Sequence, residues 1–148
     1  MVGTNERHIR LEVDSYFDGN ISECCVEFGA LDRILYNLIN NACRHTAADE
    51  IRLLILPLPG ERDLRFVVSN RVSLEDEAQL AARELRDLFQ PGISSTGSGF
   101  GMTVAADFVT NAYGLGSRKR AVEKSYLGAK LVDHRFTAWF HWPIAADI

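Results

Sequence analysis

No apolar run in this chain approaches the roughly 20 residues that a membrane-crossing helix needs. The first residues also lack the basic-then-apolar order of a secretory leader. Direct membrane insertion is therefore not expected. Basic charge is not in excess: 16 Lys and Arg stand against 20 Asp and Glu, for a formal net charge of −4. That gives no basis for a surface that holds nucleic acid or an anionic bilayer. Cysteine is scarce. Cys24, Cys25 and Cys43 are an odd number without metal-site spacing, and reduced thiols in a cytoplasmic protein are the simplest reading. The chain has no internal repeat and no low-complexity stretch. It also has no glycine loop followed by Gly-Lys-Ser/Thr, so it contains no P-loop.

What is present is an ordinary globular mix: 148 residues, 47% of them hydrophobic and 24% charged, which suits one domain with its own core. His8 to Val13 alternates and predicts a half-buried strand. Asp18-Gly19-Asn20 is a turn signal. A helix is expected from about Ser22 or Glu23 to Thr46. Ile51–Leu56 and Leu64–Ser69 are apolar runs across a PLPGERD turn and predict an antiparallel hairpin. Ser73 and Asp76 resemble a capping box ahead of a helix of about four turns over Leu74–Phe89, stopped by Pro91 and Gly92. A further helix is predicted over Phe100–Ala112, with Met102, Val104, Ala105, Phe108 and Val109 as its core stripe and Gly114 as its stop. Gly116–Ser125 is helix-compatible, and Gly128–Val132 and Phe136–Trp142 read as strands joined at Asp133-His134-Arg135. The fold class is α+β: a two-layer sandwich with a mixed, mostly antiparallel sheet of about five strands and helices on one face.

Two stretches carry chemistry. Ala30–Thr46 puts Leu31, Ile34, Leu35, Leu38, Ile39 and Ala42 on an apolar stripe. Asn37, Asn41, Arg44 and His45 recur at spacings of three and four on a second face. Asparagine is a mediocre helix former, so this face is using its amides. The second stretch is Ile93–Gly101, in which Gly97, Gly99 and Gly101 let backbone N–H groups approach a ligand just ahead of a helix N-terminus. Such an end offers unpaired donors and positive dipole to phosphate.

Together the two stretches resemble the ATP-binding catalytic domain of sensor histidine kinases, in the superfamily that includes type II topoisomerase and mismatch-repair ATPases. Asn37-Leu38-Ile39-Asn40-Asn41-Ala42 resembles the family's asparagine motif, Leu88-Phe89-Gln90-Pro91 its phenylalanine motif, and Gly97–Met102 its late glycine motif. The hairpin from Gly128 to Pro143 resembles its closing strands. The resemblance implies a histidine-kinase-type ATPase fold over 1–148, with a lid at about 71–97. It implies ATP and Mg²⁺ as cofactors, with Asn41 the oxygen ligand to Mg²⁺ and Asn37 and Asn41 the catalytic pair. Arg44 and His45 would meet phosphate or ribose. Thr96, Gly97, Ser98, Gly99, Phe100, Gly101 and Met102 would line the phosphates. Asn70 stands where the family places an aspartate that accepts from the adenine amino group, and no glycines follow it here. In the ATP-hydrolysing relatives Asn37's position resembles a glutamate that activates water. An amide cannot act as that base, which implies phosphoryl transfer to a protein.

The implied partner is a phosphoacceptor histidine domain of the same or a partner kinase, which is dimeric, with a response regulator downstream. None of His8, His45, His134 and His141 lies on a dimerising helix pair, so the acceptor and sensor domains are expected to lie outside this chain. A cytoplasmic setting is expected, including as the cytoplasmic part of a larger membrane-bound kinase. The alternative is a nucleotide-free interaction module of the same fold, a phosphotransfer scaffold. A dedicated ATPase is disfavoured by Asn37.

Overall fold

The computed structural model describes residues 8–17, 28–60, 63–82, 84–89 and 102–143. Five strands form one sheet: β1 (Arg10–Ser15), β2 (Glu50–Pro57), β3 (Asp63–Arg71), β4 (Leu127–Val132) and β5 (Arg135–Pro143), in the spatial order β1-β2-β3-β5-β4. The helices are α1 (Phe28–His45), α2 (Leu74–Ala81), α3 (Thr103–Ala112) and α4 (Arg118–Glu123), with a 3-10 turn at Leu85–Phe89. β1 runs parallel to β2 and every other pair is antiparallel. The parallel step requires a crossover, and α1 supplies it.

Alternation along the strands sets the layers. In β3, Leu64, Phe66 and Val68 are buried, and in β5 so are Phe136, Ala138, Phe140 and Trp142. These side chains share one face with Ile51 and Leu53 of β2, through the pairings of the sheet. α1 answers with Leu31, Ile34, Leu38 and Ala42, and α3 with Ala105, Ala106 and Val109. Phe66 and Phe140 stack across the strands at 5.0 Å between ring centroids. Each of the larger buried side chains, Val, Leu, Ile or Phe, contributes roughly 1.5–3 kcal/mol relative to exposure. The other sheet face is half covered, with Leu54, Leu56, Val67 and Trp139 partly buried.

The hairpins are fixed locally. Leu58 N–H donates to the Asp63 carbonyl at 3.0 Å, closing the β2–β3 turn. Asp133 and His134 both have positive φ, 51° and 65°, which gives the β4–β5 loop the twist that a two-residue hairpin prefers. α3 ends in a Schellman arrangement: Leu115 N–H reaches Thr110 O (2.9 Å) and Gly114 N–H reaches Asn111 O (3.2 Å), with Gly114 at φ 64°. Tyr113 then anchors this end by donating its hydroxyl to Asp63 Oδ1 at 2.9 Å. Burial and that carboxylate hold the phenol protonated well above its ordinary pKa.

Several expectations need correction. The first strand is β1, Arg10–Ser15, and it is exposed on both faces rather than half-buried. It is an edge strand, and α1 packs over β2 and β3 instead. The helix expected over Leu74–Phe89 stops at Ala81. Leu88 and Phe89 are both buried, at 0% and 1% exposure. Neighbouring residues cannot both face the core from a continuous surface helix, so a 3-10 turn delivers them. On α3, which begins at Thr103, Val104 is 47% exposed and outside the core, while Phe108 is partly buried and packs against it. β3 extends through Arg71. The expected turn at 18–20, the start of the long helix, Pro91 and Gly92, and Cys24 and Cys25 lie outside the described residues.

Candidate functional site

The candidate site lies at the end of the molecule where α1 leaves the core and β3 ends. Ala47 N–H donates to the Arg71 carbonyl at 2.8 Å, stapling the exit of α1 to the last residue of β3. Thr46, buried at 3% exposure, sharpens the exit: its Oγ1 donates to Ala48 O (3.1 Å) and accepts from Ala48 N–H (3.2 Å). The C-terminal exit of α1 is thereby held against the end of β3, where Asn70 lies. Alternation places the Asn70 side chain on the helix-facing side of the sheet, after Leu64, Phe66 and Val68.

Asn41 is 7% exposed and Asn70 only 1%. Among the described residues the Asn41 amide makes no hydrogen bond, and its polar atoms are not sealed from solvent. Asn70 donates its Nδ2 to the Arg71 carbonyl at 2.9 Å, which leaves its Oδ1 without one. Neither oxygen is a sealed, unsatisfied group, so both stay open to solvent and accessible to a ligand at this end of the fold. Asn37, one turn before Asn41, is exposed. It opens on a groove of about 820 Å³ between α1 and α3, lined also by Asp32, Arg33, Tyr36, Val104, Asp107, Phe108 and Asn111. Asp107 is held by Arg118 at 2.7 Å.

Arg44 is exposed at the C-terminal turn of α1. His45 is half-buried with its Nδ1 3.7 Å from Asp76 Oδ2, which ties it to the first turn of α2. That turn is capped as the sequence predicts, Ser73 Oγ accepting from Asp76 N–H at 3.1 Å. The far side of α2 is held by His134, whose Nδ1 lies 2.7 Å from Glu77 Oε1. Met102 is buried, and its N–H donates to the Leu88 carbonyl at 2.8 Å. It is therefore engaged with the 3-10 turn and is not a donor to spare. Met102 caps α3 without any side-chain hydrogen bond. Thr96, Gly97, Ser98, Gly99, Phe100 and Gly101 lie outside the described residues.

Sequence reasoning missed the groove partners Asp32, Tyr36, Asp107 and Asn111, and the clamp from His134 to Glu77. The signal that could have found Tyr36 is local: spacings of three and four set Arg33, Tyr36 and Asn37 on one side of α1. Nothing local links residue 134 to residue 77. A metal would find one amide oxygen at Asn41 and no group of three or more His, Cys, Asp or Glu side chains among the described residues. That donor set suits Mg²⁺ arriving with a phosphate ligand rather than a resident ion.

The comparisons identify the family and the fold. The family model described as "histidine kinase-, DNA gyrase B-, and HSP90-like ATPase" matches residues 28–145. No curated protein matches the chain in sequence. Among solved structures, full-length ShkA in complex with AMPPNP is similar at TM-score 0.64 and 18% identity, over 95% of this chain and 27% of that one. The nucleotide-free catalytic domain of histidine kinase ThkA is similar at TM-score 0.64 and 15% identity, over 95% of this chain and 83% of that one. The histidine kinase domain of the E. coli osmosensor EnvZ is similar at TM-score 0.52 and 16% identity, over 99% and 83%. This chain thus spans about a quarter of ShkA.

Proposed function

Because the chain belongs to the family of histidine kinase-, DNA gyrase B- and HSP90-like ATPases, we propose that it binds ATP with Mg²⁺ and donates the γ-phosphoryl group to a histidine on a phosphoacceptor domain. That domain would belong to the same or a partner kinase, with a response regulator downstream and the reaction in the cytoplasm. The observation that supports the reading best is the pair of buried asparagines, Asn41 and Asn70, whose amide oxygens the described protein leaves unused.

In this reading Asn70 Oδ1 accepts from the adenine amino group, its orientation set by the Nδ2 bond to Arg71. Mg²⁺ would supply charge neutralisation to the phosphates, and Asn41 is the residue that would hold it. Arg44 brings a permanent charge to the phosphate side, and His45 sits beside it. The loop Thr96–Gly101 and the N-terminal end of α3 provide backbone donors and positive dipole. Met102 shapes this end by packing. Asn37 orients rather than abstracts, since an amide takes no proton. The carboxylates of the groove do not replace a base there. Asp107 is paired with Arg118, and Asp32 precedes Asn37 by five residues, about 7.5 Å along the helix and about 140° around it.

A second reading is a nucleotide-free interaction module of the same fold. It is favoured by Asn70 itself, which replaces a carboxylate, commits its Nδ2 to the backbone and has no glycines after it. Labelled ATP tests the proposal. With Mg²⁺ the chain alone should bind nucleotide without steady hydrolysis, and should pass acid-labile label to a supplied histidine-bearing helical hairpin. Hydrolysis by the chain alone at the rate of a dedicated ATPase would overturn the transfer reading.

A further inference from the structure

Among the described residues β1 is the open edge of the sheet, bonded on one side to β2. Arg10 N–H donates to Asp49 O at 2.8 Å and Tyr16 N–H to Ile55 O at 2.9 Å, so the even-numbered residues aim their backbone at β2. Peptide groups alternate along a strand, so Ile9, Leu11 and Val13 aim N–H and C=O outward. Their side chains share the face of Ile51 and Leu53, with which Leu11 and Val13 pair. The apolar layer therefore runs out to the edge and is left uncovered there, with Leu11 at 40% and Val13 at 51% exposure.

Natural edges are usually blunted by proline, a bulge or an unfavourable charge pattern. β1 has no proline, and its register with β2 is unbroken from Arg10 to Ser15. Its charged face reads His8, Arg10, Glu12, Asp14: basic, basic, acidic, acidic. Reversed, that order is its own complement. An antiparallel self-pair centred on Leu11 sets Arg10 opposite Glu12 and His8 opposite Asp14, each twice, with Ile9 opposite Val13 and Leu11 opposite Leu11. Shifting the centre to Glu12 puts that carboxylate against its own copy, and shifting it to Val13 puts Glu12 against Asp14. The Leu11 register also joins the outward N–H and C=O groups of the odd residues as hydrogen-bonded pairs. Within one copy Arg10 already spans Glu12 (3.0 Å) and Glu50 (2.9 Å), so the charges of the pair would alternate around the axis.

We propose that β1 is a homodimerisation edge: a second copy of this chain pairs antiparallel with it about a two-fold axis at Leu11, joining two five-stranded sheets into one. A single strand pair buries less than a standard interface, so the dimer is weak and concentration-dependent.

Sedimentation equilibrium of the full chain, up to on the order of 1 mM, tests this. A reversible monomer–dimer equilibrium is expected. Glu12→Arg and Arg10→Glu each create two like-charge pairs in the homodimer and should each weaken it at least about tenfold. Mixing the two variants should restore dimers, because every charge again meets its opposite across the axis. Both side chains are exposed, at 48% and 68%, so the variants should keep the parent circular dichroism. A chain that stays monomeric throughout overturns the proposal. So does a dimer indifferent to either variant, or one that the mixture fails to restore.

Discussion

Asn41 and Asn70 are buried asparagines with opposite relations to the protein around them. The Asn41 amide makes no hydrogen bond among the described residues, so Asn41→Ala should cost the fold only the packing of a small side chain. The same change should weaken Mg²⁺-dependent nucleotide binding at least about tenfold, read by calorimetry, as a lost hydrogen bond or ligand to a charged group implies. Asn70→Ala removes a bond to the Arg71 carbonyl and should also cost about 1 kcal/mol of stability in denaturant unfolding. His141 makes a different prediction. It accepts from Arg65 Nε at 3.0 Å, and burial first, then the Arg65 charge, push its pKa from 6.5 down to about 4. The folded state thus holds it neutral while the unfolded chain takes up a proton. Its stability contribution is complete above pH 6.5 and is lost as pH falls from there towards about 4. The melting temperature should drop across that window, and His141→Gln should flatten the slope.

At the level of elements, α1 does two jobs: Leu31, Ile34, Leu38 and Ala42 hold it to the sheet, and Asn37, Asn41 and Arg44 stand on its other faces. Both faces were legible, because helical periodicity is local. The β2–β3 and β4–β5 hairpins were legible for the same reason. What sequence could not show is long-range. The loss of the last turns of the predicted lid helix comes from burying Leu88 and Phe89, and the exposure of β1 comes from its place in the strand order. Gly128 is another such case. A Cβ there would lie 2.4 Å from Trp139 Cζ2, with two more ring atoms within 2.9 Å. Gly128→Ala should therefore push β4 and the Trp139 ring apart and destabilise the protein by about 1–3 kcal/mol, seen as an earlier denaturant midpoint and a shifted Trp fluorescence.

For the molecule as a whole, the sheet is a platform that carries α1, α3 and the capped start of α2 to one end, where the amides gather. The family assignment and the α+β architecture are consistent with an ATP site at that end, but phosphate contacts from Thr96–Gly101 belong to the proposal. Its foundation is that this chain still binds nucleotide despite asparagine, and no following glycines, at Asn70. Isothermal titration of the chain with a non-hydrolysable ATP analogue, with and without Mg²⁺, tests that most directly. The account predicts saturable binding that strengthens with Mg²⁺ and raises the melting temperature. No heat and no thermal shift at nucleotide on the order of millimolar, where even a weak site would fill, would contradict it.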